Sequence, residues 1–562
     1  MKLIGKVLLT LLLLLIFSMV SCYFLLQTSW AAGWIGRWIS DNSSYRLSLK
    51  KIEHAWARPW QLSFNDVALT TRDKKTVLNA QHIVIDLKWR QFIHLRHFSI
   101  GQLNRVLLKN GTLTFDNALP VLPFQADSLQ LNNMTLITHV GQWQIAGQQV
   151  NAGFKPWQPQ IGHPLGENSQ FQLSANSLNI NGIPAERIFV QGEIQNKVLT
   201  LSNFGASVAK GEMTGSASRS DDGSWKINQL QLSNIGLQTT QTVDDVWQKL
   251  IQLPLLTITH FDLINARLEG HNWALSDLDL TLKNIKLNQG NWQSDNGELT
   301  LNAADIIRGD MHLVDPVMTL ALSTNKVTIN QFSTRWQDGL ITGQGSWQRN
   351  NHRLQLDDLT IASLVYNLPT DWQQRWQQTL PHWLSEIYIS KLMVNRNLLM
   401  DTSPDFPFQI TSLDGFGTNL LLAQNHQWGI WAGKLKLNAS DATFNETDMR
   451  HLALEFTANN QHIDLHDLSA FTKDGLLEAT ANIGQTPDRL FSLELTGRSV
   501  ELNILQNWGW PTLAQQGIGE LKLKLNGSLA AGVPLKSVVQ GSLQVEDRQG
   551  KHSYQLTPQS GG

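Results

Sequence analysis

The feature that most constrains this chain is a short frame that occurs three times. Lys326-Val327-Thr328-Ile329-Asn330-Gln331-Phe332-Ser333 is followed by Asp338-Gly339-Leu340. Val327 and Ile329 alternate with Lys326, Thr328 and Asn330, which predicts a strand with one apolar and one wet face. Phe332 arrives one residue late for strict alternation, so a β-bulge is expected between it and Ile329. Asp-Gly is a hairpin signal, because a type I′ turn needs positive φ at both central residues. Leu201, Phe204 and Gly211 repeat the spacings of Ile329, Phe332 and Gly339, and so do Leu465, Leu468 and Gly475. The turn dipeptides are Lys210-Gly211, Asp338-Gly339 and Asp474-Gly475.

A second frame precedes each copy. Leu129 leads to Trp143 and Asn151-Ala152, Leu278 to Trp292 and Asn302-Ala303, and Leu413 to Trp428 and Asn438-Ala439. The recurrence of these tryptophans marks them as structural. Three diverged modules of one β-rich design are expected, stacked so that each buries its apolar face against or beside its neighbour. Separate domains on a string are the other possibility, but no Pro/Gly/Ser-rich linker divides the copies. Between the frames run short apolar-x-apolar segments ending in Asn, Asp or Gly, such as Leu178-Asn179-Ile180-Asn181-Gly182 and Leu354-Gln355-Leu356-Asp357-Asp358. Asn and Asp make local turns and Gly tolerates positive φ, so these read as a meandering antiparallel sheet.

Helical signals are few. One helix is expected from Thr242 through Val243, Val246, Trp247, Leu250 and Ile251 to Pro254. A second is expected from Asp371 through Trp372, Trp376 and Leu380, and a third from Val500 to Trp508. The divisions read from the chain are an anchor at 1–27, an interfacial helix and first β segment at 28–120, and modules at 121–240, 241–370 and 371–499. A helix-strand segment at 500–545 and a disordered tail at 546–562 complete it.

At the N-terminus Lys2 and Lys6 precede a long apolar run from Val7 to Leu26. About 20 apolar residues span a bilayer as a helix. Positive charge before the run places the N-terminus in the cytoplasm and the rest of the chain beyond the membrane. A cleaved signal peptide is less well supported, since no small-x-small site follows a short apolar core. A lipoprotein site at Met19-Val20-Ser21-Cys22 is the other alternative, which would lipidate Cys22. Trp30, Trp34 and Trp38 fall on one face of a short helix suited to the membrane interface, where Trp is favoured; packing of that helix on the first strands is compatible with this.

The net charge of −2 over 562 residues offers no basic footprint for nucleic acid. Cys22 is the only cysteine, which excludes disulfides and cysteine-based zinc sites. His462, Asp464 and His466 share a strand face, but Thr200 and Ser202, or Thr328 and Asn330, replace the last two in the other copies, so they read as a polar face. Gly343-x-Gly345, Gly415-x-Gly417 and Gly517-x-Gly519 lack the strand–GxGxxG–helix setting of a nucleotide site. Asp401 and Asp405 could be paired carboxylates for glycoside chemistry, but a loop between strands explains them better. No nucleophile elbow or phosphate-binding loop occurs. Neither a catalytic site nor a cofactor is expected.

Near the C-terminus, Asn503-Ile504-Leu505-Gln506-Asn507-Trp508-Gly509-Trp510-Pro511 leads into Gly517-Ile518-Gly519-Glu520-Leu521-Lys522-Leu523-Lys524-Leu525-Asn526-Gly527. A short helix, Gly-x-Gly and an alternating strand ending in Gly resemble the C-terminal signature of the AsmA-like proteins of Gram-negative envelopes. The N-terminal anchor and β-rich remainder fit as well. The resemblance implies an inner-membrane anchor, a periplasmic β-groove open along one side, and movement of phospholipid toward the outer membrane. It brings no catalytic motif.

The fold expected is therefore mainly β: an N-terminal transmembrane helix, then an elongated, curled antiparallel sheet with an open groove, in three diverged modules with a few short helices. Leu278, Leu280, Leu282, Ile329, Phe332, Leu465, Leu468, Leu521, Leu523 and Leu525 are the candidate groove residues, with membrane and phospholipid as partners. Periodicity alone leaves open whether the apolar face lines a trough or is sealed in a sandwich. An assembly scaffold acting on outer-membrane proteins is the alternative function.

Overall fold

The computed structural model describes residues 2–41, 43–55, 57–58, 60–73, 75–88, 102–116, 125–140, 143–160, 166–180, 183–245, 248, 255–508, 513–530, 533 and 535–557. They divide into two compact units. One comprises Met1–Thr239, Asp244–Leu268 and Lys286–Asn291, the other Thr240–Val243, Glu269–Ile285 and Trp292–Gly562.

The N-terminal unit begins with helix α1, Lys2–Leu26, and helix α2, Ser29–Asp41. Within α1, Lys6–Leu25 is long and apolar enough to cross a membrane. Tyr23 Oη and Gln27 Nε2 donate to the His54 carbonyl at 2.8 and 3.2 Å, tying the end of α1 to the strand Lys51–His54. Two short strands, Tyr45–Ser48 and Lys51–His54, lie along Gln61–Thr71, and the ladder then proceeds strand by strand from Thr76–Leu87. Its apolar face can be followed through the register: Ile83, Leu108, Leu131, Ala152, Leu173, Val190 and Phe204 stand successively opposite one another. That face is filled by its own side chains, and Leu108, Leu131 and Met134 are among the buried residues of its core.

In the C-terminal unit, Trp273–Asn288 pairs through 279–283 with Gly297–Asn302 and through 273–276 with Asp305–Arg308. Antiparallel neighbours follow to Gly550–Leu556 with one parallel step. Among the described residues parallel pairing occurs at three joins, which modifies the expected antiparallel meander. Gln102–Asp116 meets Gln125–Val140, Trp225–Ser233 meets Leu256–Gly270, and Arg353–Ala362 meets Glu386–Asp401. The second strands of these pairs start 131 and 130 residues apart (256 − 125 and 386 − 256). A parallel neighbour needs a crossover connection. At the third join that crossover is 363–385, which carries helix α3, Trp372–Gln377. The expected helix from Thr242 falls largely on residues outside those described. Helix α4, Ile504–Asn507, is shorter than expected, because Val500 still belongs to the strand Leu490–Glu501.

The bulge expected in the repeated frame is present in every copy. The register shifts between Leu201 and Phe204, between Ile329 and Phe332, and between Leu465 and Leu468. Each bulged pair faces small residues: Ala217 and Gly215, Gly345 and Gly343, Ala481 and Ala479. In the first copy the reason is steric, since a Cβ on Gly215 would lie 2.7 Å from Phe204 Cζ.

The role assigned to the frame's glycine needs correction. The positive-φ turn residues are Ala209 and Lys210 in the first copy and Gln337 and Asp338 in the second, one place before the glycine. In the third copy the loop 472–475 closes instead through Thr472, whose N–H donates to the Gly475 carbonyl at 2.9 Å. The glycine begins the next strand in the first two copies and immediately precedes it in the third, and another chain segment passes over it. A Cβ on Gly211 would meet Ser233 O at 2.2 Å, on Gly339 Leu364 Cα at 2.5 Å, and on Gly475 Arg498 O at 2.0 Å. The passing segment has a positive-φ residue of its own there, Asn234, Ser363 or Ser499. Gly339→Ala is therefore expected to cost about 1–3 kcal/mol by overpacking, although its φ is unexceptional. The measurement is the thermal unfolding midpoint of the full chain in detergent; an unchanged midpoint would refute the close-approach explanation.

The tail expected to be disordered from Glu546 is ordered to Leu556. Gly550–Leu556 pairs with Gln540–Asp547, placing His552, Tyr554 and Leu556 opposite Val545, Leu543 and Gly541. Polar His552 at an inward position hid this alternation in the sequence.

Candidate functional site

The apolar faces of the C-terminal unit's strands form continuous rows across the ladder. Leu282, Leu299, Leu320, Ile329, Gly345 and Leu356 stand opposite one another in turn. A neighbouring row starts at Leu280, Leu301, Met318, Phe332, Gly343 and Leu359. It runs on through Leu392, Gly417, Leu435, Phe456, Leu465, Ala481 and Leu493 to Leu525. The candidate residues Leu280, Leu282, Ile329, Phe332, Leu465, Leu468, Leu521, Leu523 and Leu525 thus share one face, and Leu278 continues it two residues before Leu280.

Burial along that face is uneven, and the unevenness locates the site. Between Ala303 and Leu384, where every residue is described, no Val, Leu, Ile, Met, Phe, Tyr or Trp side chain is fully buried. Leu299, Leu301, Met318, Leu320, Ile329 and Phe332 are all half-buried. Strand neighbours flank them, and among the described residues no segment seals them into a core. The opposite face carries Thr319, Gln331, Ser333, Gln344 and Asp358, so the sheet is two-faced rather than apolar throughout. A further half-buried stretch comprises Leu435, Leu437, Leu454, Leu465 and Leu468.

Among the described residues, two chain segments cover the face elsewhere. The 363–385 crossover starts at one edge, where the Leu368 N–H donates to Met400 O at 2.8 Å, and reaches the other, where the Leu380 N–H donates to His426 O at 2.8 Å. On the way Trp372 Nε1 donates to Asp401 at 3.0 Å and Trp376 stacks on Trp428 with centroids 5.7 Å apart. Leu380 and Leu384 pack with Ile387, Ala423, Leu354 and Trp428, all on the apolar side. Asp401 is buried and also accepts from the Ser403 N–H at 2.8 Å, a structural part rather than half of a carboxylate pair.

The second cover corrects the sequence assignment of Leu521, Leu523 and Leu525. These are 3, 2 and 8 % exposed. Leu502, Ile504 and Leu505 at α4 pack over them, and Leu543 and Val545 complete a closed core. They are not open groove residues. Leu278, 4 % exposed, is buried as well. On the other face Lys522 and Lys524 bracket Glu494 at 2.7 and 3.5 Å, and the hydrogen bond from Lys522 holds that carboxyl below its ordinary range.

The uncovered stretch has two edges. The first carries the turns 323–326 and 348–353, the second the turns 308–311 and 336–339. At the first edge the Trp292 and Trp347 rings lie 5.9 Å apart, and the Arg349 guanidinium sits 4.6 Å over Trp292. Both indole N–H groups are engaged, Trp292 with Ser323 O and Trp347 with Trp383 O, each at 3.0 Å. Simple strand periodicity misses this cluster, because its members sit at strand ends. The recurrence of Trp was the available signal.

In the N-terminal unit α2 buries Ala31, Ala32 and Gly36 and turns Trp30, Trp34 and Trp38 outward, 67, 56 and 44 % exposed. Gly36 is needed there, since a Cβ would lie 2.9 Å from Leu47 O. Ser40 Oγ accepts from the Leu47 N–H at 2.9 Å and donates to Gly36 O at 2.6 Å. The helix is thereby fixed on the first strands with its indoles facing away. Among the described residues no group of three or more His, Cys, Asp or Glu is placed to hold a metal.

Comparison with known proteins agrees with this architecture. The chain is 41% identical over 543 residues to AsmA family protein YicH of Escherichia coli (strain K12), an alignment covering 97% of this chain and 95% of that protein. The chain belongs to the AsmA family. The family resemblance read from the C-terminal segment thus extends over nearly the whole length, and with the apolar α1 and the β-rich remainder this AsmA family chain fits an envelope protein. No protein-family model matches it, and no solved structure does.

Proposed function

We propose that this AsmA family chain is a phospholipid-binding and transfer protein. In this reading α1 anchors it in the inner membrane with the N-terminus cytoplasmic, the outward indoles of α2 rest at the bilayer interface, and the bulk of the chain is periplasmic. Acyl chains lie on the half-buried apolar face and travel toward the outer membrane. The chain acts by binding, not by catalysis.

The observation that carries this reading is the half-buried apolar face between Ala303 and Leu384, which no described segment seals. Contiguous exposed apolar surface of that kind costs a soluble protein free energy and normally marks a binding site. Each methylene taken from water gains about 0.8 kcal/mol, so a dozen or so retain a chain by about 10 kcal/mol. The apolar rows bear no ionisable side chain, so a lipid tail meets no desolvated charge there.

The test is to extract the full-length protein in mild detergent and identify co-purifying molecules by mass spectrometry. Diacyl phospholipid at near-stoichiometric amounts is expected. A protein that emerges empty, and that takes up no lipid from vesicles, contradicts the reading. The sealed core around Leu523 lends weight to the alternative of an assembly scaffold; crosslinking that traps envelope proteins and never acyl chains would favour it.

A further inference from the structure

We propose that the lipid is held in one orientation, with its phosphate-bearing headgroup along the edge that carries Trp292, Trp347 and Arg349 and its acyl chains across the rows of Ile329 and Phe332. This rests on the lipid reading above and adds which side of the face is polar-binding.

An amphiphile on this face must send its polar end to one edge or the other, because the rows through Ile329 and Phe332 offer only hydrocarbon and the Thr334 hydroxyl beside them is bound to Val314 O. The two edges differ in chemistry. The first presents Lys326, Arg349 and Arg353 in or beside its turns, against Asp295, which accepts from Thr324 at 2.8 Å, and Glu386, which pairs with Arg353 at 3.2 Å. The second presents Asp310 and Asp338 in its turns, with Arg308, while Arg335 stands 3.9 Å from Asp315. A phosphate is therefore attracted to the first edge and opposed at the second.

The aromatic content points the same way. Arg349 Nη1 donates to Trp292 O at 3.1 Å, which helps hold the guanidinium over the indole. His352 stacks on Trp347 with centroids 6.3 Å apart. Indoles with a buried apolar body and a polar rim are the side chains favoured where hydrocarbon gives way to headgroups. A guanidinium matches phosphate in charge and in the geometry of its oxygens.

The experiment uses full-length protein reconstituted in vesicles of phosphatidylethanolamine and phosphatidylglycerol. One preparation carries phosphatidylethanolamine with a diazirine on the headgroup, the other with a diazirine at the end of an acyl chain. After illumination, labelled peptides are mapped by mass spectrometry. The chain probe is expected on the peptide containing Ile329 and Phe332, and the headgroup probe on residues 323–326 and 348–353. Arg349→Gln should lower headgroup labelling at that edge by about threefold relative to chain labelling, as suits one partly exposed charged contact. Headgroup labelling concentrated at 308–311 and 336–339, or divided equally between the edges, overturns the orientation while leaving the lipid reading intact. Absence of chain labelling at Phe332 removes the lipid reading itself, and the orientation with it.

Discussion

Replacing Ile329 and Phe332 together by aspartate is expected to abolish recovery of co-purifying phospholipid while leaving the far-ultraviolet circular dichroism spectrum unchanged. Both side chains are half-buried, and their partners Gly345 and Gly343 leave room on the same face. Carboxylates at these positions keep access to water, so the folded protein loses only the packing of two partly exposed side chains, about 1–2 kcal/mol. A lipid tail laid over two carboxylates would instead desolvate both charges, at several kcal/mol each. Binding is therefore hit far harder than folding. Normal lipid content in the double variant would mean that hydrocarbon is held elsewhere on the molecule.

Leu523→Asp is expected to give the opposite result. Leu523 is 2 % exposed, faces Leu495 and Leu543 across the ladder, and lies in the core closed by Leu502 and Leu505. Losing the leucine costs about 2–5 kcal/mol, and a buried carboxylate without a partner adds several more. That exceeds what one end of a sheet can absorb, so the C-terminal strands should become protease-sensitive. Limited proteolysis is the readout, with new cleavage between α4 and the C-terminus. A protease-resistant variant that merely lost lipid would show that α4 is a removable cover rather than part of the core.

The contrast between these two sites marks where the sequence could be read and where it could not. Alternation around Ile329 and around Leu523 is equally clear, and both place leucine-type side chains on the same face. What differs is the cover, and that comes from segments distant in sequence: Leu502 to Leu505 over Leu523, and no described segment sealing Ile329. Periodicity reports which face is apolar but contains no information about what lies on it. The bulges at Phe204, Phe332 and Leu468 were legible because a late apolar residue breaks the two-residue period. The glycines of the same frame were seen but misassigned, since close approach by another segment and positive φ select the same residue. The parallel joins left no local signal, because strand direction depends on the crossover rather than on the strands. The amphipathic α2 and the apolar α1 were legible, for each presents a single helical pattern uninterrupted by turns.

The 363–385 crossover bears on how such a face could be used. It passes from edge to edge over the apolar side, anchored by Trp372 at one end and by Trp376 and Leu380 at the other. It leaves one bay around Ile329 and Phe332 and another around Leu435, Leu454 and Leu465. Cargo on the proposed route would then not glide along one unbroken surface. It would queue, one molecule to a bay, and advance only when the berth ahead fell vacant.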